Sequence, residues 1–197
     1  MYIDFLTLLL INMAAGFALL AGFVWGYRAD VLPAKHWVPA FTVIGAIAFI
    51  FGTVLTITWP LPGSFNIAFG EMSVLLGVTF LGAALAIGKE WSLLPLAGYA
   101  VFAGMAAMLI GIRILSLKMT QSPLLAGLGF LLSGSAGVLA LPTLLWFSRN
   151  RLFRYAAVLV LAGTALIWAL TGYLAYWDHL QSFQKWLPTL MRTPTGR

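Results

Sequence analysis

Five acidic residues and two histidines are all that 197 residues offer to acid–base or metal chemistry. The most suggestive set is Asp4, Glu71, Arg113, Asp178 and His179. Each stands at the end of a long apolar run, and the alternation of runs brings all five to one membrane face. Arg113 lies within Ile110–Leu117, which is apolar apart from Gly111, Arg113 and Ser116. Charges at such depth turn inward and pair. Glu71 is the natural partner of Arg113, with Asp4 the runner-up. A carboxylate beside a guanidinium could offer a counter-charge to a small polar or cationic ligand, the cation setting its ionisation. For Asp4, Asp178 and His179 the preferred reading is plainer, namely side chains wetted at interfacial depth. A metal held by His179, Asp178 and an acid such as Asp4 or Glu71 is a weak signal, because one imidazole and scattered carboxylates make a poor ligand set.

Other polar groups are fewer still. Asn12 lies two turns inside the first apolar run, in LLLINMAAG. A lone Asn in a membrane helix is more often interhelical glue than a ligand. Thr53, Thr56 and Thr58 are expected to bond back to their own helix. Met13, Met72, Met105 and Met108 read as packing side chains. His36 and His179 fall on opposite faces, so one haem cannot be held by both. No phosphate loop, zinc-protease motif or nucleophile elbow occurs. Cys is absent, which removes thiolate metal sites and disulfides. No cofactor is expected beyond lipid contacts. The net charge of +6 comes without a basic cluster of the kind that tracks phosphates, so nucleic acid is not an expected partner.

The elements that must position these groups are apolar. Hydrophobic residues make up 62% of the chain and charged ones 8%, against about 25% charged in a soluble domain. Six segments are long enough to span a bilayer, at about 4–26, 37–59, 69–88, 91–115, 123–147 and 152–177. The expected fold is an all-α polytopic membrane helix bundle. Trp25, Tyr27, Trp37, Trp91, Trp146 and Tyr155 would form one aromatic belt; Tyr2, Trp59, Tyr176 and Trp177 would form the other. Arg28, Lys35, Lys89, Arg149, Arg151 and Arg154 crowd the short loops of one face. The other carries Arg113, Lys118, Lys185, Arg192 and Arg197. The tight basic loops assign the first face to the cytoplasm of a plasma (inner) membrane and put both termini outside.

One connection stands apart. WPLPGSFNIAFGE, from Trp59 to Glu71, has no Lys or Arg and carries Trp59, Leu61, Phe65, Ile67 and Phe69 around Asn66. Pro60 and Pro62 oppose a continuous helix. The stretch reads as a structured cap folded back on the bundle, roofing a pocket with Glu71, Arg113, Asn66, Asn12 and Asp4 among its polar groups and Trp59 at its edge.

Small residues recur four apart in Ala48/Gly52, Ala103/Ala107/Gly111, Gly129/Ser133/Gly137 and Ala165/Ala169. Such stripes favour close helix packing over lining a path. The layout from Gly52 to Gly70 is echoed from Gly111 to Gly127, either as a parallel repeat or as chance recurrence of a common residue. Beyond Trp177, Leu180, Phe183, Trp186, Leu187 and Leu190 fall on one helical face. A short interfacial tail over 178–197 is the expectation, disturbed at Pro188.

Taken together, YIDFLTLLLINMAAG, the WPLPGSFNIAFGE cap, QSPLLAGLGF and TGYLAYWDHL resemble a family of prokaryotic integral membrane proteins, domain of unknown function 981. The resemblance runs to about Phe183 and implies a bacterial or archaeal membrane protein with no assigned activity. Three functions are weighed. First is a small-solute or ion permease or binding protein with an outward-facing capped pocket. Second is an accessory subunit packing against a membrane-protein partner, a second copy of itself or lipid. Third is a metal-dependent membrane enzyme.

Overall fold

The computed structural model describes residues 4–26, 32–145, 150–182 and 184. All regular structure among them is helical: α1 (Phe5–Gly26), α2 (Val38–Thr58), α3 (Met72–Gly88), α4 (Leu94–Leu117), α5 (Pro123–Leu145) and α6 (Arg151–Ser182). A 3₁₀ turn over Ala34–Trp37 leads into α2, and a π-helical stretch over Asn66–Glu71 runs into α3. Each of the six helices, with these leads, is long and apolar enough to cross a membrane. Prolines in the first turn open α2 and α4, where a missing N–H costs nothing. Both helices end on a left-handed residue, Trp59 (φ 47°) and Lys118 (φ 49°), whose N–H returns to Leu55 O and Ile114 O.

The helices pair α2 with α3, α4 with α5 and α6 with α1, and contacts within each pair far exceed those between pairs. Each pair leaves the face bearing Lys35, Lys89 and Arg151, turns or ends at the opposite face, and returns. These are called the basic face and the cap face below. The three pairs close into a ring.

Glycine backbones make two of the pairs. A methyl placed on Gly45 would stand 2.9 Å from Gly77 O, and one on Gly52 3.0 Å from Gly70 O. In α4–α5 a methyl on Gly104 would likewise stand 2.5 Å from Gly134 O, and one on Gly111 2.9 Å from Gly127 O. Gly45, Gly52 and Trp59 precede Gly104, Gly111 and Lys118 by one constant separation. The two hairpins therefore repeat one packing geometry in one direction, and the sequence echo reflects it. Such backbone approach supplies dispersion contacts that apolar side chains, equally content in lipid, do not.

Ala48 and Ala165 are buried as the packing stripes require. Ala103 and Ala107 are not in the α4–α5 seam; they face a central cavity. At the C-terminal end, α6 continues unbroken through Asp178 to Ser182, so no separate element begins at 178. The rest of the expected interfacial helix, including Phe183 and Lys185–Leu190, lies outside the described residues, as do Tyr2, Tyr27 and Trp146 of the aromatic belts.

Candidate functional site

The Trp59–Glu71 loop comes first, because it closes one end of the ring. Asn66 is fully buried. Its Oδ1 accepts the Leu61 N–H at 2.9 Å, and its Nδ2 donates to Leu61 O at 2.6 Å and to Gly63 O at 3.3 Å. One side-chain amide thus satisfies the backbone of a turn that Pro60 and Pro62 leave without helical bonds. Trp59 and Pro62–Ser64 stay exposed, whereas Ala68 and Phe69 are buried. Phe65 stacks on Phe69 at 6.3 Å, Phe69 meets Phe130 edge-on at 5.4 Å, and Phe130 meets Trp168 edge-on at 5.3 Å. Trp168 is fully buried against Gly129, and its Nε1 donates to Ser133 Oγ at 2.9 Å. Ser133 Oγ in turn donates to Gly129 O at 2.7 Å. Gly129 and Ser133, expected in a helix-packing stripe, form the seat of this tryptophan.

Beyond this aromatic plug lies a cavity of about 280 Å³, and all six helices contribute to its wall. Met13, Met72, Phe130 and Trp168 line its inner end; Val24, Ile87, Leu93 and Leu144 line the end toward the basic face. The wall is almost wholly apolar. It carries three hydroxyls, at Thr79, Ser133 and Thr143, and those of Thr79 and Ser133 bond to the carbonyls of Leu75 and Gly129 in their own helices. On α3 it runs from Met72 to Ile87 and on α5 from Phe130 to Leu144, on the order of 20 Å at 1.5 Å per residue. The cavity is a narrow bore rather than a bowl.

The expected charged pocket is corrected on three counts. Glu71 and Arg113 are both exposed, form no ion pair, and do not line the cavity. Gly70 occupies the α2 seam, so Glu71 is turned away from it. On α4 the seam is held by Gly104, Gly111 and Ile114, which leaves Arg113 on the outer side beside Ile112, where a long side chain can reach the interface. Second, the loop plugs its end of the ring with phenylalanines and roofs no charged chamber. Third, Asp4 and His179 are engaged rather than merely wetted. Asp4 caps α1, its Oδ1 accepting the Thr7 N–H at 3.3 Å and the Thr7 hydroxyl at 2.6 Å. Its Oδ2 lies 2.7 Å from His179 Nδ1 on α6, which is also 3.2 Å from Thr7 Oγ1. Thr7 is 1% exposed and was missed in the sequence; a hydroxyl three residues after an N-terminal Asp is the signal that finds it.

Asn12 ties α1 to α2, its Nδ2 donating to Ile44 O at 3.0 Å. Thr56 and Thr58 bond back to Gly52 O and Val54 O. Asp178 is exposed. None of Glu71, Arg113, Asp4, Asn12, Asn66 and Trp59 lines the cavity. Among the described residues, no three His, Asp or Glu side chains gather as metal ligands. Elsewhere, Lys35 Nζ bonds Glu90 Oε1 at 2.6 Å across the exposed base of the α2–α3 hairpin.

Six long apolar helices around an apolar bore define a multi-pass α-helical membrane protein. The chain belongs to the DUF981 family, proteins of unknown function, whose family model matches residues 1–182. Neither the curated proteins nor the solved structures contain a match to it.

Proposed function

We propose that this protein binds a hydrocarbon chain inside its ring of helices, as a binding protein or permease for an apolar or amphiphilic molecule. The elongated apolar bore carries this reading. Small-molecule sites are typically concave, apolar and about 300–1,000 Å³, and this cavity, at about 280 Å³, falls just below that range. A compact polar solute would find few partners there, since the wall offers three hydroxyls and those of Thr79 and Ser133 are already spent on backbone carbonyls. A single chain matches both the narrow section and the length, which exceeds half of the roughly 30 Å hydrocarbon core of a bilayer.

The test is extraction of the purified full-length protein with organic solvent and mass spectrometry of what is released. One chain-bearing molecule per protein is expected, and Ala83→Phe and Ala140→Phe, which fill the bore from α3 and α5, should reduce it severalfold. A wild-type protein that carries no such molecule and takes none up from added lipid would end the proposal.

The orientation is part of the same reading: basic loops in the cytoplasm of the plasma (inner) membrane, both termini and the Trp59–Glu71 loop outside. Ser64→Cys should react with an impermeant thiol reagent in intact cells and Asn150→Cys should not. Labelling of Asn150→Cys alone inverts the orientation.

A further inference from the structure

We propose that the bound chain carries an anionic head group and that Arg154 binds it. This deepens the hydrocarbon-binding reading of the same cavity and rests on it. Arg154, Leu161 and Trp168 are spaced by seven on α6 and share one helical face. Leu161 and Trp168 line the bore, as does Ala157, one turn from Arg154. Arg154 therefore stands on the cavity side of α6, at the basic-face end of the bore.

The residue is half-buried, and its Nε is buried with no hydrogen-bond partner. A buried guanidinium N–H without an acceptor is costly, and such an orphan calls for a partner that protein atoms do not supply. The guanidinium Cζ lies 5.7 Å from the centre of the Tyr155 ring, which is 5.5 Å from Trp25 of α1. The aromatic pair holds the cation in place without accepting its N–H groups in a plane. Of the other described cations at this face, Lys35 is engaged by Glu90, and Lys89 and Arg151 are exposed. Among the described residues of this face, Arg154 is thus the half-buried cation on the cavity side of its helix, three residues after the start of α6, where the helix N-terminus adds positive potential.

A planar guanidinium fork suits a carboxylate or a phosphate, and takes either through two parallel N–H···O bonds. The geometry combines that fork with a bore about one leaflet deep. The ligand class is a single-chain anionic amphiphile, its tail against Trp168 and its head at Arg154. The headgroup oxyanion would satisfy Nε and stay at the depth where the basic side chains meet water.

Binding to the full-length protein in a neutral detergent would be followed by native mass spectrometry and tryptophan fluorescence. The probes are oleate, oleyl phosphate, oleyl alcohol and inorganic phosphate. Oleate or oleyl phosphate should bind at least tenfold tighter than the alcohol, and inorganic phosphate should not bind at the same concentrations. Arg154→Gln should abolish that preference and leave alcohol binding unchanged. Arg154→Lys, which keeps the charge and loses the fork, should retain a reduced preference and guards against a folding defect in the first variant. Ala140→Phe should weaken all three chains, which separates the bore from lipid bound around the protein. Equal binding of acid and alcohol by the wild type, or a preference that survives Arg154→Gln, overturns the head-group site while leaving the bore reading intact. Saturable binding of phosphate alone would make Arg154 a free-anion site and overturn it as well. If no chain binds, the alcohol included, the bore reading itself has failed.

Discussion

The α2–α3 and α4–α5 hairpins are joined by matching glycine contacts and differ in how they turn. α4 passes to α5 through a short connection at Lys118–Ser122. The α2–α3 turn is two residues longer between matching glycines, Gly52 to Gly70 against Gly111 to Gly127, and part of that length is wound into a π-helix. A π-helix closes i→i+5 and so takes in an extra residue without breaking the helix. The comparison separates two jobs. The glycine seam sets how each pair of helices meets. The turn is free to vary, and in the first hairpin it carries Asn66 for its own order and Phe65 and Phe69 for the plug.

If the seams are equivalent, equivalent substitutions should hurt equally. Gly77→Ala and Gly134→Ala each force a methyl into the opposing backbone and should each lower stability by about 2–3 kcal/mol, read as a fall in Tm in detergent. Gly163→Ala, where no atom lies within 4 Å of the added methyl, should be neutral or stabilise by up to about 1 kcal/mol. A large loss in one hairpin only would break the equivalence. The turns should behave oppositely. Asn66→Ala strips three hydrogen bonds from the first turn and should cost about 1–2 kcal/mol. It should expose Trp59–Phe65 to limited proteolysis while the α4–α5 hairpin stays intact. Unchanged proteolysis would remove Asn66 as the organiser of the turn.

The third pair, α6 with α1, has a polar clasp in place of a glycine seam. Asp4→Asn and His179→Ala should each cost about 1 kcal/mol, with the double variant losing less than the sum. Strict additivity would dissolve the clasp. The smallest effect belongs to Lys35–Glu90. The hydrogen bond from the Lys35 ammonium, and then its charge, hold the Glu90 carboxyl below its usual value. Such a group adds stability above the pH at which a free carboxyl titrates, and loses it as pH falls through the lowered folded value. Tm should drop on acidification from neutral, and Glu90→Gln should remove a small part of that slope. An identical slope in the variant would leave the pair without effect.

The helices were legible in the sequence because the bilayer fixes their length and charge marks their ends. Their rotations were not. A soluble helix shows its inner face by polarity, but both faces of a membrane helix are apolar. The direction of Arg113 was therefore hidden until the Gly104–Gly111 seam showed which side of α4 was taken. The same ambiguity concealed the cavity. Ala103 and Ala107 have the spacing of a packing stripe, and small side chains at a wall read like small side chains at a seam. Asn12 was legible as glue because a buried amide in lipid has few alternatives. The Asp4–His179 contact joins groups near opposite ends of the chain, and neither has a local signal for the other. Arg154 was legible as a charge on the basic face and not as the neighbour of a bore, since the heptad Arg154, Leu161, Trp168 acquires meaning only once Leu161 and Trp168 are seen to face inward.

The glycine seams also have a mechanical consequence. Helices whose backbones touch along two turns resist sliding and splaying, because every displacement opens a gap that no side chain is long enough to fill. Between hairpins, contact rests on larger side chains, including Phe23 edge-on to Phe41, with the Asn12 bond to Ile44 and the Trp168 bond to Ser133. Bulky side chains can change rotamer and follow a moving partner. The ring is therefore two stiff staves and a third pair packed through side chains, all held by compliant joints, and its bore widens or narrows by the tilting of whole hairpins rather than by the bending of any one helix.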